Sequence, residues 1–363
     1  MLFRLMLRSW FRTTTIFAIL VNTGTCTPHK FPAIFIFGDS LVDVGNNNYI
    51  TTLSKANYKP IGIDFGKPTG RFTNGRTAID ILGESFGFKI SPPPYLAPST
   101  RGPVVMRGVN YASGSSGILN ASGANYIGRI AMDAQIKNFA KTRVDIISNI
   151  GVKASHKLFA TSLFTVTTGS NDFINNYLQP GISNLIPQHT FIGTMISTFT
   201  TQLKNLYYMG ARKIVVTNVP PIGCCPYERD LMPFSGHACV AFPNHLSQLY
   251  NTQLKRTLVE LTTKLKGSTF VYVDVYRMLD DIVQNYSSYG FEVADRACCH
   301  TLGIHGGMVP CLQHVRLCKD RSKYVFWDWF HVTEAVYVII AKRILDGDIT
   351  DISPINVRAL SKI

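Results

Sequence analysis

Short apolar runs rich in β-branched and aromatic residues recur along this chain, separated by segments of helical periodicity. The runs are 33–37, 104–112, 163–166, 213–217 and 269–273. Each is short and bounded by turn-forming residues, so each reads as a buried strand. Between them Ile79, Leu82 and Phe86, then Met132, Ile136 and Phe139, repeat at helical spacing, and longer helical patterns cover 191–209 and 244–265. Gly210 supplies a stop for the first of these two. Strands alternating with helices join through right-handed βαβ units. The pattern therefore predicts an α/β chain whose parallel sheet is covered on both faces.

In such a sheet the carboxyl ends of the strands share one edge, and ligands and chemistry gather there. The first run leads straight into Gly38-Asp39-Ser40-Leu41. Gly38 turns the chain, and Asp39, Ser40 and Asp43 are residues that open a helix, leaving the Ser40 N–H free to face an oxyanion. Gly-Asp-Ser is also ordinary turn chemistry, so these letters alone assign no function. Further strand ends carry Gly114, Asn171 and, behind the apolar run 324–327, the pair Asp328 and His331. Together these residues divide an acyl-transfer reaction among themselves. Ser40 is the candidate nucleophile, His331 the base and Asp328 the carboxylate that orients it. The N–H groups of Ser40 and Gly114 and the side-chain amide of Asn171 are candidate oxyanion donors. Taken singly, Gly114 also reads as a strand-end kink, Asn171 as a turn residue and His331 as a residue at a helix start.

No linker, low-complexity tract or repeat interrupts the 363 residues, and 46% hydrophobic with 16% charged residues is a globular composition. A single large domain is expected over 27–363. Residues 1–26 differ. Arg4, Arg8 and Arg12 precede the apolar stretch 16–21 and the small polar residues 23–27, and no acidic residue comes before Asp39. That is the layout of a secretory signal peptide, with a mitochondrial transit peptide as the rival. The best later candidate for a membrane span, 335–344, has about half the required length and contains Lys342 and Arg343. The formal net charge is +14. A basic secreted chain can adhere to anionic lipid or an acidic cell-wall polymer, although dispersed Lys and Arg also serve solubility alone. No nucleic-acid-binding motif accompanies the charge.

The cysteines are Cys26, Cys224, Cys225, Cys239, Cys298, Cys299, Cys311 and Cys318. If Cys26 leaves with the leader, an odd number remains and at least one thiol lacks an intrachain partner. Interleaved His300, His305 and His314 raise zinc as a reading. The cluster lacks a repeated Cys-x-x-Cys spacing, however, and an oxidising compartment favours disulfides. Asn120 and Asn285 begin glycosylation sequons. Asn46-Asn47-Asn48 reads as a surface loop and Ser91-Pro92-Pro93-Pro94 as another.

Six segments in order carry a resemblance: 37–49 (FGDSLVDVGNNNY), 70–76 (GRFTNGR), 110–114 (NYASG), 168–172 (TGSND), 220–223 (PPIG) and 326–331 (FWDWFH). They closely resemble the plant GDSL esterase/lipase family of the SGNH hydrolase superfamily, from about residue 33 to residue 347. The resemblance implies a three-layer α/β/α sandwich of flavodoxin-like topology. It also implies a secreted serine esterase that needs no metal or cofactor, acting on a lipid or other small acyl ester. Ser40, Asp328 and His331 would form its triad, and Ser40, Gly114 and Asn171 its oxyanion hole, with Gly117 as the alternative glycine. Acyl transfer to an alcohol, deacetylation of cell-wall polysaccharide and a non-catalytic binding role on the same scaffold are the other readings. The chain departs from the family at Val332, where proline usually follows the histidine, at the second cysteine Cys225, and at His300, where glycine is usual.

Overall fold

Strand β1, Ile34–Gly38, is buried along its whole length, as a five-residue apolar run in a covered sheet must be. In the computed structural model, which describes residues 31–232 and 238–363, β1 lies parallel to β2, Leu163–Thr167. Then come β3, Lys213–Thr217, and β4, Thr269–Val273, also parallel and in sequential order. A short two-stranded sheet joins β5, Val293–Ala297, to β6, Tyr324–Phe326. Strand β7, Ile352–Ser353, closes the main sheet antiparallel to β4. The expected leader, 1–26, lies outside the described residues.

Side chains alternate between the faces of the strands. Phe35, Phe37, Phe164, Val166, Ile214 and Val216 enter one core, and Ile34, Ile36, Leu163, Val215, Val271 and Val273 enter the other. The first core is covered by helices α2 (Met132–Ile150), α3 (Val152–Thr161), α4 (Gln188–Tyr208) and α5 (Ala241–Lys264). The second is covered by α1 (Ala78–Ser85), α6 (Val275–Gln284) and α7 (Glu334–Asp346). The result is the expected three-layer α/β/α sandwich. Helix α5 starts before the expected residue 244 because Pro243 is tolerated in a first turn.

Three expectations are corrected. The run 104–112 is not one strand. Gly102–Arg107, with Pro103 in its first turn, forms a 3₁₀ turn, and Gly108 (φ 107°) then passes against the Ile34 carbonyl, where a Cβ would lie 1.9 Å from the oxygen. Only 109–113 runs beside β1, through Ile36 N–H to Val109 O (3.0 Å), Tyr111 N–H to Ile36 O (2.7 Å) and Ser113 N–H to Gly38 O (3.0 Å). Counted as a strand, this segment gives the flavodoxin-like order 2-1-3-4-5. Second, no helix follows Ser40. The chain makes a single turn, with Val42 and Asp43 N–H both donating to Asp39 O, before the Asp43 side chain and Gly45 redirect it. Third, the run ending at Trp327 does not join the main sheet. It pairs with 293–297, a segment with no strand-like pattern in the sequence.

The cysteines of the 298–318 loop pair as Cys298–Cys318 and Cys299–Cys311, and Cys224 pairs with Cys239. The thiols that a zinc site would need are therefore engaged with one another. Among the described residues Cys225 is free and buried, and its burial pushes the thiol far above its ordinary range, so it behaves as a small apolar side chain.

Candidate active site

His331 is delivered by a tight turn behind β6. Trp327 N–H donates to His331 O (2.8 Å), and the Asp328 carboxylate receives the backbone N–H of Phe330 (2.9 Å) and of His331 (2.8 Å) on Oδ1. The same carboxylate meets His331 Nδ1 at 2.8 Å from Oδ1 and 3.0 Å from Oδ2. On the other side of the ring, His331 Nε2 lies 2.8 Å from Ser40 Oγ, across 291 residues of sequence. Asp328 and His331 are buried at 3% and 4% exposure, and the Phe72 ring packs on the imidazole at 5.3 Å. The structure thus brings the three expected residues into one hydrogen-bonded chain.

Val332 replaces the usual proline, yet the strap is held by other contacts. Thr73 Oγ1 donates to Val332 O (2.9 Å), Asn74 Oδ1 accepts Glu334 N–H (2.9 Å), and Glu334 receives Arg76 through its backbone N–H (2.9 Å) and Nε (2.7 Å). The segment 70–76 therefore clamps the chain on the carboxyl side of the histidine. Arg71 in turn forms a buried bidentate pair with Asp80, the residue that completes the N-terminal capping box of α1.

The oxyanion side differs from expectation. Gly114 N–H donates to Asp43 Oδ2 (3.1 Å), and its carbonyl receives Asn47 Nδ2 (3.1 Å), so its peptide groups serve the scaffold. Glycine is required there because a Cβ would lie 2.5 Å from the Phe72 ring that supports His331. Gly117 lines neither of the cavities that hold Ser40. It admits the Asp172 carboxylate, which receives Ile118 N–H, Leu119 N–H and Ser122 Oγ. The residue between them, Ser115, holds φ at +67°, a strained value for a side-chain-bearing residue. Ser115 lines the same cavity as Ser40, Asn171 and His331, and its N–H and that of Ser40 make no hydrogen bond among the described residues. Asn171 gives one amide hydrogen to Ser116 O (3.0 Å) and is oriented by Asn175 Nδ2 on its Oδ1 (2.6 Å). Its second amide hydrogen has no acceptor among the described residues.

The asparagine run 46–48 is corrected too. Asn46 and Asn47 are 0% and 1% exposed. Asn46 Nδ2 donates to Asn110 O (2.9 Å) and Ala112 O (2.8 Å), fixing the strand that leads to Ser115. Gln135 on α2 is a further residue that sequence reading missed. It receives Gly38 N–H (2.8 Å) and donates to Gly38 O (2.8 Å), pinning the peptide groups two residues ahead of Ser40. An apolar-face glutamine at helical spacing carries no sequence signal for that contact. The expected glycosylation residues Asn120 and Asn285 are exposed, but Ser122 of the first sequon is buried on Asp172, which explains that serine without a sugar.

Asp39 is 1% exposed, and its Oδ2 has no hydrogen-bond partner among the described residues. Burial raises its pKa to about 7, and burial raises Asp43 and Asp172 to about 6. Their folded pKa values lie above the unfolded ones, so the unfolded chain releases these protons first. Stability falls as pH rises from about 4 to about 7. Asp39→Asn removes one such penalty, worth up to a few kcal/mol. Its thermal midpoint relative to wild type is expected to be about 5 °C higher at pH 8 than at pH 4.5, read by calorimetry, and equal differences at both would refute the assignment.

A family model described as GDSL-like lipase/acylhydrolase matches residues 34–344 of this chain. One GDSL esterase/lipase of Arabidopsis thaliana is 57% identical over 338 residues, covering 92% of each chain. Two others from the same plant are 47% and 48% identical, covering 90% and 89% of this chain and 87% and 89% of their own lengths.

Proposed function

This chain belongs to the GDSL-like lipase/acylhydrolase family and is a carboxylic ester hydrolase, and from that premise we propose that it works through an acyl intermediate on Ser40. Ser40 Oγ attacks the ester carbonyl as His331 Nε2 takes its proton, while Asp328 holds the ring in the Nδ1–H tautomer and stabilises the imidazolium. The tetrahedral oxyanion is received by Ser40 N–H and the free amide hydrogen of Asn171. Ser115 N–H takes the third donor's role in place of Gly114, whose N–H faces Asp43. Collapse breaks the bond to the alcohol, which leaves with the proton held by His331. Water, deprotonated by the same imidazole, then attacks the acyl carbon, and Ser40 recovers its proton as the acid departs.

The observation that carries this reading is the unbroken contact from Asp328 through His331 to Ser40 Oγ, 2.8 Å at its last link. A fluorophosphonate probe is expected to label the full chain at Ser40 and to leave Ser40→Ala unlabelled. Asn171→Ala should still label, with p-nitrophenyl ester turnover about 10²–10³-fold lower, the usual loss for one oxyanion donor. Labelling of Ser40→Ala would refute the nucleophile.

Secretion behind a leader over 1–26, with a single domain over 27–363, is the compartment that suits three disulfides, and it leaves Asn120 and Asn285 open to glycosylation. The positive charge suits contact with acidic wall polymer or anionic lipid. Among the described residues no helix is long and apolar enough to cross a membrane.

A further inference from the structure

Beneath the edge of the sheet that carries Ser40 lies an apolar cavity of about 100 Å³, between β2, β3 and helices α1, α6 and α7. Leu41, Pro220, Leu279 and Phe330 line it and also line the cavity that holds Ser40 and His331, so the two spaces share a wall. Its floor is the sheet face formed by Thr165, Val215 and Thr217. The hydroxyls of Thr165 and Thr217 are buried without a hydrogen-bond partner among the described residues. Protein interiors are close-packed, and voids larger than a water molecule are few. An apolar cavity walled off from the Ser40 cavity only by shared side chains is placed to receive part of a ligand bound at that serine.

We propose that this cavity receives the acyl chain of the ester and limits it to short acids. The proposal rests on the reading of Ser40 as the acylated residue and adds which acids it takes. With the ester carbonyl at Ser40, Leu41 and Phe330 flank the path by which the chain descends toward Val215. An apolar cavity of about 150 Å³ admits benzene, so about 100 Å³ accepts roughly three to five carbons beyond the carbonyl. Butyryl to hexanoyl groups therefore fit. Acetyl leaves the space unfilled, and long chains find no room. Each methylene buried there improves transition-state binding by about fourfold until the cavity is full. The two bare hydroxyls work against a hydrocarbon guest, because any water they hold must leave when the chain enters.

The test is kcat/KM of the full chain on p-nitrophenyl acetate, butyrate, hexanoate, octanoate and laurate. The expected profile climbs about tenfold or more from acetate to butyrate or hexanoate and falls again by laurate. Val215→Phe, which fills the floor, should lower the butyrate-to-acetate ratio at least tenfold. Thr217→Val, which replaces an unpartnered hydroxyl by a methyl group of the same shape, should raise that ratio severalfold, a direction that mere loss of packing does not produce. Should Val215→Phe fail to fold, Leu279→Trp closes the shared wall instead and carries the same expectation. A flat profile, or a ratio moved by neither the filling nor the Thr217→Val variant, overturns the acyl cavity and leaves Ser40 chemistry standing. Absence of turnover of every ester by folded wild type overturns both readings.

Discussion

Asp328→Asn is expected to lower kcat by about 10⁴-fold with little effect on thermal stability, the loss seen when a triad carboxylate becomes an amide. The reason lies in what surrounds the carboxylate. Asp328 Oδ1 accepts the N–H groups of Phe330 and His331 as well as His331 Nδ1, so that position must remain an oxygen. The amide NH₂ is then forced to the Oδ2 position, 3.0 Å from Nδ1. There it donates, Nδ1 becomes the acceptor, and the ring proton moves to Nε2. An Nε2 that already carries its proton cannot take one from Ser40. Steady-state hydrolysis of a p-nitrophenyl ester, beside a circular dichroism melt, measures both halves of this prediction. Activity within tenfold of wild type would remove Asp328 from the mechanism.

The largest loss of stability is expected at Asp43, a residue with no part in the chemistry. Its buried carboxylate receives Gly45 and Asn46 N–H on Oδ1, both at 2.7 Å, and Asn47 (3.4 Å) and Gly114 (3.1 Å) N–H on Oδ2. Asp43→Ala strands these donors. Each unsatisfied buried N–H costs about 1–3 kcal/mol, partly offset because the cost of burying a carboxylate disappears. A net loss of about 3–5 kcal/mol follows. Asp43→Asn keeps the Oδ1 acceptor and should lose about half as much. Burial raises Asp43 to about 6 in the folded state, so the wild-type carboxylate becomes less favourable as pH rises from about 4 to about 6. The deficit of Asp43→Asn should therefore shrink over that interval. Urea unfolding at both ends of the range tests it, and a deficit that grows with pH would contradict the sign.

These two residues show why one part of the site can be read from letters and another cannot. Asp328 and His331 stand three apart behind an apolar run, and their relation is a local turn that sequence spacing expresses. Asp43 sits just as near Ser40, yet its partners are backbone N–H groups, which leave no mark in the identity of the residues that carry them. The same holds on the oxyanion side. Glycine at 114 is the conspicuous letter, but it is there to admit Phe72, while Ser115 lines the cavity beside Ser40 with an N–H that makes no hydrogen bond among the described residues. The asparagines at 46 and 47 look like turn residues because short amides suit turns. Their actual role, satisfying the carbonyls of 110, 112 and 114, appears only once that strand is beside them.

From its residues alone this chain determined that it would alternate strand and helix, that β1 to β4 would be parallel and covered, and that Ser40, Asn171 and His331 would follow apolar runs. Those properties depend on burial periodicity over five to twenty neighbouring residues. Only the tertiary structure decided that 324–326 pairs with 293–297, that Gln135 pins Gly38 across 97 residues, and that the Gly114 N–H turns to Asp43. A buried hydrogen-bond donor must be satisfied by whatever acceptor folding brings within about 3 Å, and that neighbour is set by the packing of distant segments, not by local sequence.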